Sequence, residues 1–311
     1  MNDRAAVRPI TASIAAVERD TGLSKDTLRV WERRYGFPVP ERDAVGERAY
    51  PLEQIEKLRV IKRLLDSGHR PGRIVGLDIA MLHDISESLS PSPQRLASSV
   101  TGTDLRVYMD LIKTHDVDGL RRALGQAAVR KGVAGMVCDV IAPLNVMVGD
   151  AWMRGLLEVF EEHMYTESVN IALRGAIASA PLAPSSASPR VLMTTLPQEP
   201  HGLGLLMAEA MLALEGCRCV SLGTQTPILD IVLACAAHRS EVVALSFTAN
   251  QNPNYVVNGL AELRQKLPAS VDIWAGGSCP VLQRKPPEGV TVLADLQGIG
   301  AFVDAWRARR A

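Results

Sequence analysis

The sequence predicts a multidomain protein of mixed class, α in its first 180 residues and α/β beyond them. Three observations carry this prediction. From residue 190 onward, short apolar runs alternate strictly with helix-length segments, the pattern of a doubly wound parallel sheet. Between 104 and 180 the apolar residues recur at helical spacing with no strand alternation. Two Ser/Pro-rich stretches, 86–103 and 181–189, separate these regions from each other and from the first 85 residues, and read as linkers.

Within residues 1–85 the pattern is helix, glycine turn, helix. Ile14 to Val17 forms a short apolar helix, Thr21-Gly22-Leu23-Ser24 turns the chain, and Ser24 is a good N-cap for the segment Lys25–Tyr35. Leu28 and Trp31 lie three apart and point inward, while Lys25, Arg29, Arg33 and Arg34 remain outside. Helix, turn and exposed basic helix together make a helix-turn-helix. The prolines of Gly36-Phe37-Pro38-Val39-Pro40 forbid a helix there, and the segment running on to Arg48-Ala49-Tyr50 is predicted to form a small wing. From Gly22 to Arg73 there are 12 Lys/Arg against 8 Asp/Glu, a local positive excess in a chain of zero net charge. Phosphate contacts need such a patch, although a charge run alone equally fits a solvated protein-interaction module.

Residues 104–180 predict a four-helix bundle, with helices over 104–114, 117–131, 133–152 and 156–178. Gly155 ends one helix and lets the next begin. Trp152 therefore sits at a helix end and Glu162-His163 on the following helix. On the residues alone, this is a core tryptophan beside a solvated Glu-His pair. A zinc or di-metal site at Glu162, His163 and Glu167 is weaker, because a second Glu-x-x-His unit is missing.

Residues 190–311 predict five strands: Val191–Leu196, Cys219–Leu222, Val242–Ser246, Val271–Ala275 and Val290–Ala294. Helices over 203–215, 227–239, 255–267 and 296–309 alternate with them, and the size suits a flavodoxin-like order. Ligands bind such sheets at the carboxyl ends of the strands. Three features fall there: Gln198-Glu199-Pro200-His201-Gly202-Leu203-Gly204 after the first strand, Ser246-Phe247-Thr248 at the end of the third, and Gly276-Gly277 after the fourth. No Gly-x-Gly-x-x-Gly follows the first strand and no phosphate-loop motif occurs, which counts against NAD and nucleoside triphosphates. A neutral imidazole at His201 is a good ligand for the metal of a large cofactor, and Glu199 can fix its tautomer. Gly202 and Gly204 let the backbone approach a flat ring system.

Several of these residues also match known families. Thr27–Gly36, Arg48-Ala49-Tyr50 and Leu52–Leu58 resemble the winged-helix DNA-binding domain of MerR-type regulators. The resemblance implies a recognition helix in the major groove of operator DNA, with Arg29, Arg33, Tyr35, Arg48 and Tyr50 as contacts; on the residues alone any of these could be structural, Tyr35 and Tyr50 first among them. Glu199-x-His201-x-x-Gly204, with Ser246-x-Thr248 and Gly276-Gly277, resembles the cobalamin-binding domain of corrinoid enzymes and sensors. It implies His201 as the lower axial ligand of cobalt, displacing the cofactor's own base. Ser246, Thr248 and the two glycines would receive the nucleotide tail. Trp152, nine residues, then Glu162-His163 resembles the adenosylcobalamin photoreceptors of the CarH/LitR group. That match implies a pocket shaped by Trp152 and Glu162 around an upper 5′-deoxyadenosyl group, with His163 able to take the upper cobalt position once the group is lost.

The expected organisation is thus a DNA-binding domain at 1–85, a capping bundle at 104–180 and a cobalamin-binding domain at 190–311. The expected protein is a cytoplasmic homo-oligomer, a tetramer by analogy, and a light-responsive repressor rather than an enzyme. Alternatives are a regulator sensing cobalamin level or another tetrapyrrole, a corrinoid methyl-carrier protein, and a partner-binding module. No apolar run approaches the roughly 18 residues of a membrane span, and the five scattered cysteines have no zinc spacing.

Overall fold

A computed structural model describes residues 11–310 apart from 44, 67, 89–103, 182–183, 185–187 and 250. The expected linkers lie largely outside the described residues. The chain divides into two compact units, one holding 1–95 with 149–158 and the other 96–148 with 159–311.

In the first unit, β1 (Thr11–Ser13) leads into α1 (Ile14–Thr21), and α2 (Lys25–Tyr35) follows the turn. Ser24 caps α2 as its sequence position predicts, its hydroxyl accepting from the Thr27 amide at 3.1 Å. Gly22 and Gly36 end the two helices in the left-handed conformation, φ 70° and 68°, which L side chains rarely adopt. The wing consists of β2 (Glu41–Arg42) and β3 (Arg48–Pro51); with β1 it makes an antiparallel sheet of order β1-β3-β2. Helices α3 (Leu52–Asp66), α4 (Pro71–Ile74) and α5 (Ile79–Ser88) complete the domain. Val17, Leu28, Trp31, Tyr50, Leu58, Ile61 and Leu82 share its core.

The helical region is built from α6 (Arg106–Lys113), α7 (Val117–Gly135), a π-helical turn (Met136–Ile141), α8 (Ala142–Met153) and α9 (Val159–Ser179). Asp116 caps α7 by accepting from the Gly119 amide at 2.8 Å. The second and third expected helices run on as one rod of 37 residues, Val117–Met153, kinked at Gly132 (φ 72°). This corrects the reading of the apolar runs: by length and composition the rod could cross a membrane. Its Leu120, Leu124, Val137, Val140, Ile141 and Leu144 are buried within the protein.

In the second unit this bundle packs on α/β layers. The strands are β4 (Arg190–Thr194), β5 (Arg218–Ser221), β6 (Val242–Phe247), β7 (Asp272–Gly277) and β8 (Val290–Val292). All pair in parallel, in the order β5-β4-β6-β7-β8, the flavodoxin-like order. The helices between them are α10 (Leu203–Leu214), α11 (Ile228–Ala237), α12 (Pro253–Lys266), a short α13 (Pro280–Arg284) and α14 (Ile299–Arg310). Only α13 was not expected. Helices α9 and α10 meet face to face. A buried Glu209 on α10 pairs with Arg174 on α9 at 3.1 Å. The Tyr165 hydroxyl of α9 donates to the Asn145 side-chain oxygen, and Asn145 donates to the Met207 sulfur at 3.7 Å. Bundle and sheet are therefore joined by polar side chains as well as by apolar packing.

Candidate cofactor site and DNA-binding face

Residues at the carboxyl ends of β4 and β6 converge on one carboxylate. Glu199 is fully buried. Its Oε1 accepts from His201 Nδ1 at 2.6 Å and from the His201 amide at 3.1 Å. Its Oε2 accepts from the Thr248 amide and hydroxyl, both at 2.8 Å. Burial alone would raise the Glu199 pKa, but the hydrogen bonds from His201 and Thr248 outweigh it and hold the group below the usual range. The same bond raises the pKa of His201, with burial opposing and the charges of Glu199 and Glu162 adding to the rise. A carboxylate accepting at Nδ1 fixes the proton there, so a neutral His201 presents its Nε2 lone pair outward. The side chain is 61% exposed, so Nε2 is accessible while Nδ1 is anchored.

The loop behind this pair is held by groups the sequence reading missed. The Thr195 hydroxyl donates to the Glu199 carbonyl at 2.6 Å and accepts from the Gln225 amide at 2.8 Å. Thr194 bonds the Gly223 carbonyl and the Thr226 hydroxyl, at 2.9 and 2.7 Å. Tyr255 donates to the Pro197 carbonyl, and Gln251 donates to the Gln198 carbonyl at 2.8 Å. Gln198 itself takes φ 72°, the bend that turns the chain toward His201. Two hydroxyls following the apolar run Val191–Met193 were the available signal for Thr194 and Thr195, both buried.

The glycines fit a site of close approach. A Cβ on Gly204 would come within 2.8 Å of the Ser246 hydroxyl. Gly277 has φ 107°, and a Cβ there would lie 2.1 Å from the Phe247 carbonyl oxygen, so no side chain is accommodated. Gly276 is less constrained, its nearest neighbour being Leu293 Cβ at 3.7 Å. Ser246, Gly276 and Gly277 stand on the neighbouring strands β6 and β7, Ser246 opposite Gly276 and Phe247 opposite Gly277 in register, and Thr248 follows directly after β6. An open imidazole nitrogen, with hydroxyls at the end of an adjacent strand and glycines beside them, suits a flat metal macrocycle with a polar tail.

Glu162 and His163 occupy the first turn of α9. Glu162 accepts from the Thr166 hydroxyl at 2.7 Å and lies 3.7 Å from His163 Nε2, while the His163 side chain is 72% exposed. Trp152 belongs to the first unit. There the Arg63 guanidinium lies 4.9 Å above its ring and donates to its carbonyl. Among the described residues, no three His, Cys, Asp or Glu side chains are grouped to hold a free metal ion. A metal carried by its own macrocycle needs only one ligand from the protein.

The basic helix α2 presents Arg29 and Arg33 to solvent. Arg29 bonds Asp26 at 3.2 Å. Arg48 on the wing is held by Glu32 of α2, at 3.0 and 3.4 Å, which fixes the wing against the helix. Tyr35 is half-buried beside Arg34, whose guanidinium lies 5.4 Å from its ring. Tyr50 corrects the expectation. Its side chain is wholly buried and belongs to the core, out of reach of a phosphate.

Comparisons with known proteins bear on the family and the fold. Residues 12–77 match the family described as MerR HTH family regulatory protein, and residues 105–174 match the B12 binding domain family. The HTH-type transcriptional repressor CarH of Myxococcus xanthus is 28% identical over 258 residues, 83% of this chain and 85% of that one. The HTH-type transcriptional repressor CarA of the same organism is 30% identical over 245 residues, 78% and 79% of the two chains. A monomethylamine corrinoid protein from Methanosarcina barkeri superposes with a TM-score of 0.50, covering 63% of this chain and 94% of that one. At 17% identity that likeness is one of fold.

Proposed function

The chain belongs to the MerR-type, cobalamin-binding transcriptional regulators that include CarA and CarH, and we propose that it is a light-responsive repressor loaded with adenosylcobalamin. In this reading residues 1–85 bind operator DNA, 104–180 cap the cofactor and 190–311 hold it. The observation that supports it best is the buried Glu199 carboxylate, which orients His201 with Nε2 free.

His201 is the proposed lower ligand of cobalt, and Glu199 keeps its tautomer correct for ligation. Gly204, Ser246, Thr248, Gly276 and Gly277 are the proposed cradle for the nucleotide tail. Glu162 is proposed to line the upper pocket, and His163 to take the upper position once the adenosyl group is lost. Bound adenosylcobalamin supplies a cobalt–carbon bond that light breaks. Loss of the adenosyl group would remove what the bundle residues are proposed to surround. A ligand can shift an equilibrium only by its differential affinity for two states, so the filled pocket must favour the DNA-binding oligomer, a tetramer by analogy. Arg29, Arg33, Tyr35 and Arg48 are the proposed operator contacts. A cytoplasmic location follows from this role.

The test is an operator shift assay with the full chain reconstituted with adenosylcobalamin in the dark, repeated after illumination, with size-exclusion chromatography in parallel. The expected result is tight binding and a larger oligomer in the dark, both lost in light. Identical behaviour in the two conditions, with the cofactor retained, would favour a sensor of cobalamin level instead. Absence of cobalamin binding would remove the cofactor reading altogether.

A further inference from the structure

A second polar pocket lies at the amino ends of the strands, away from the cofactor loops. It has a volume of about 340 Å³ and is lined by Arg190, Arg218, Val220, Ala237, His238, Arg239 and Ser240. Arg190 and Arg218 are the first residues of β4 and β5 and stand directly opposite each other in register. Like charges at paired positions repel. Arg239 adds a third guanidinium from the loop after α11, where its backbone takes the left-handed φ of 51°.

These cations are poorly neutralised by the protein. Glu241 is the nearest acid, with Oε2 3.6 Å from Arg190 Nε, and it spends its oxygen on the Ser188 hydroxyl and the Arg190 amide, each at 2.9 Å. Arg190 Nε is buried with no hydrogen-bond acceptor among the described residues. Neither Arg218, His238 nor Arg239 has a carboxylate partner among the described residues. Ser240 is 7% exposed, and its hydroxyl lines the pocket with no hydrogen bond among the described residues. A chain of zero net charge has thus gathered three arginines, a histidine and a serine around one space, with Glu241 beside Arg190 their one carboxylate partner among the described residues.

We propose that this pocket binds a small phosphorylated ligand through Arg190, Arg218, Arg239 and Ser240. Three guanidinium forks arriving from different elements suit a tetrahedral oxyanion better than a planar carboxylate, which one fork can satisfy. Val220 and Ala237 provide an apolar wall, and the volume exceeds that of a bare phosphate group. An organic moiety attached to the phosphate would lie against that wall. The proposal is independent of the cofactor reading, because none of these residues touches the His201 loop.

The experiment is calorimetric titration of the cobalamin-loaded full chain at constant ionic strength, with inorganic pyrophosphate in one arm and a nucleoside 5′-diphosphate in the other. Saturable binding of either probe is expected, weakened at least about tenfold by the double substitution Arg218→Gln and Arg239→Gln. Tighter binding of the nucleotide would assign the apolar wall to its base and sugar. The cobalamin spectrum and circular dichroism should stay unchanged; if the double variant loses either, Arg239→Gln alone makes the comparison. The proposal is overturned if neither probe binds, or if the variants bind as the native protein does. Loss of operator affinity in a variant whose parent binds neither probe would reassign the cluster to DNA. Cobalamin retention, read separately by absorption, tells failure here from failure of the cofactor reading.

Discussion

Replacing Glu199 by glutamine tests the centre of the site while keeping its shape. The carboxylate receives four hydrogen bonds, two on each oxygen, from His201 and Thr248. An amide has only one oxygen to accept with. If that oxygen faces His201, the amide NH₂ points at the Thr248 backbone N–H. If it faces Thr248, the NH₂ points at the His201 backbone N–H. In that second case Nδ1 must become an acceptor, so its proton moves to Nε2 and the outward lone pair is lost. Either orientation leaves one buried backbone donor unpaired, at roughly 1 to 3 kcal/mol, and weakens charge-assisted bonds. A destabilisation of about 3 kcal/mol is expected, which lowers Tm by roughly 6 to 12 °C for a unit of this size. The assay is thermal unfolding of the cofactor-free protein by circular dichroism, with cobalamin retention measured by absorption after gel filtration. An unchanged Tm together with unchanged retention would refute the argument that this carboxylate organises the loop.

Other outcomes are more local. Gly277→Ala should cost about 3 to 5 kcal/mol in denaturant unfolding, because the new Cβ lies 2.1 Å from the Phe247 carbonyl at a positive φ; a cost below about 1 kcal/mol would mean the loop yields. Tyr50→Phe should raise stability by about 1 kcal/mol and leave operator binding intact, since the buried hydroxyl has no partner among the described residues; weaker operator binding would return Tyr50 to the DNA face. Arg33→Ala should weaken operator binding and reduce the salt slope by about one, if Arg33 meets a phosphate. Burial pushes the Cys217 thiol up to about 11. The unfolded chain therefore loses this proton first, and the stability the thiol contributes is full below about pH 8.5 and is lost as pH rises to about 11. Cys217→Ala should flatten that alkaline fall, and an identical pH profile would count against a buried thiol as its cause.

The strand–helix alternation was legible because each strand is a short apolar run between polar or Gly/Pro breaks, and the order of the sheet followed from its size. The Ser24 cap and the Gly22 turn were legible because both act within a few residues. The 117–153 rod was not, since Arg130-Lys131-Gly132 reads locally as a break while the chain continues through a kink and a π turn. Tyr50 entered as a wing contact through the family resemblance alone, which does not say which side chains of the wing face inward. His201 could be picked out by position, and Glu199 as its partner by proximity. That Thr248 would complete the carboxylate could not, because its two bonds span 49 residues of sequence. The Arg63–Trp152 contact, across 89 residues, was equally invisible to local patterning.

The shared acceptor has a further consequence for how the site opens. Two loops, one after β4 and one after β6, end on the same carboxylate, so neither can leave without releasing the other's donors. They form one cooperative opening unit in hydrogen exchange. The amide protons of His201 and Thr248 should therefore exchange at a common free energy of opening, and a ligand that tethers the imidazole would slow exchange at Thr248 even without touching it.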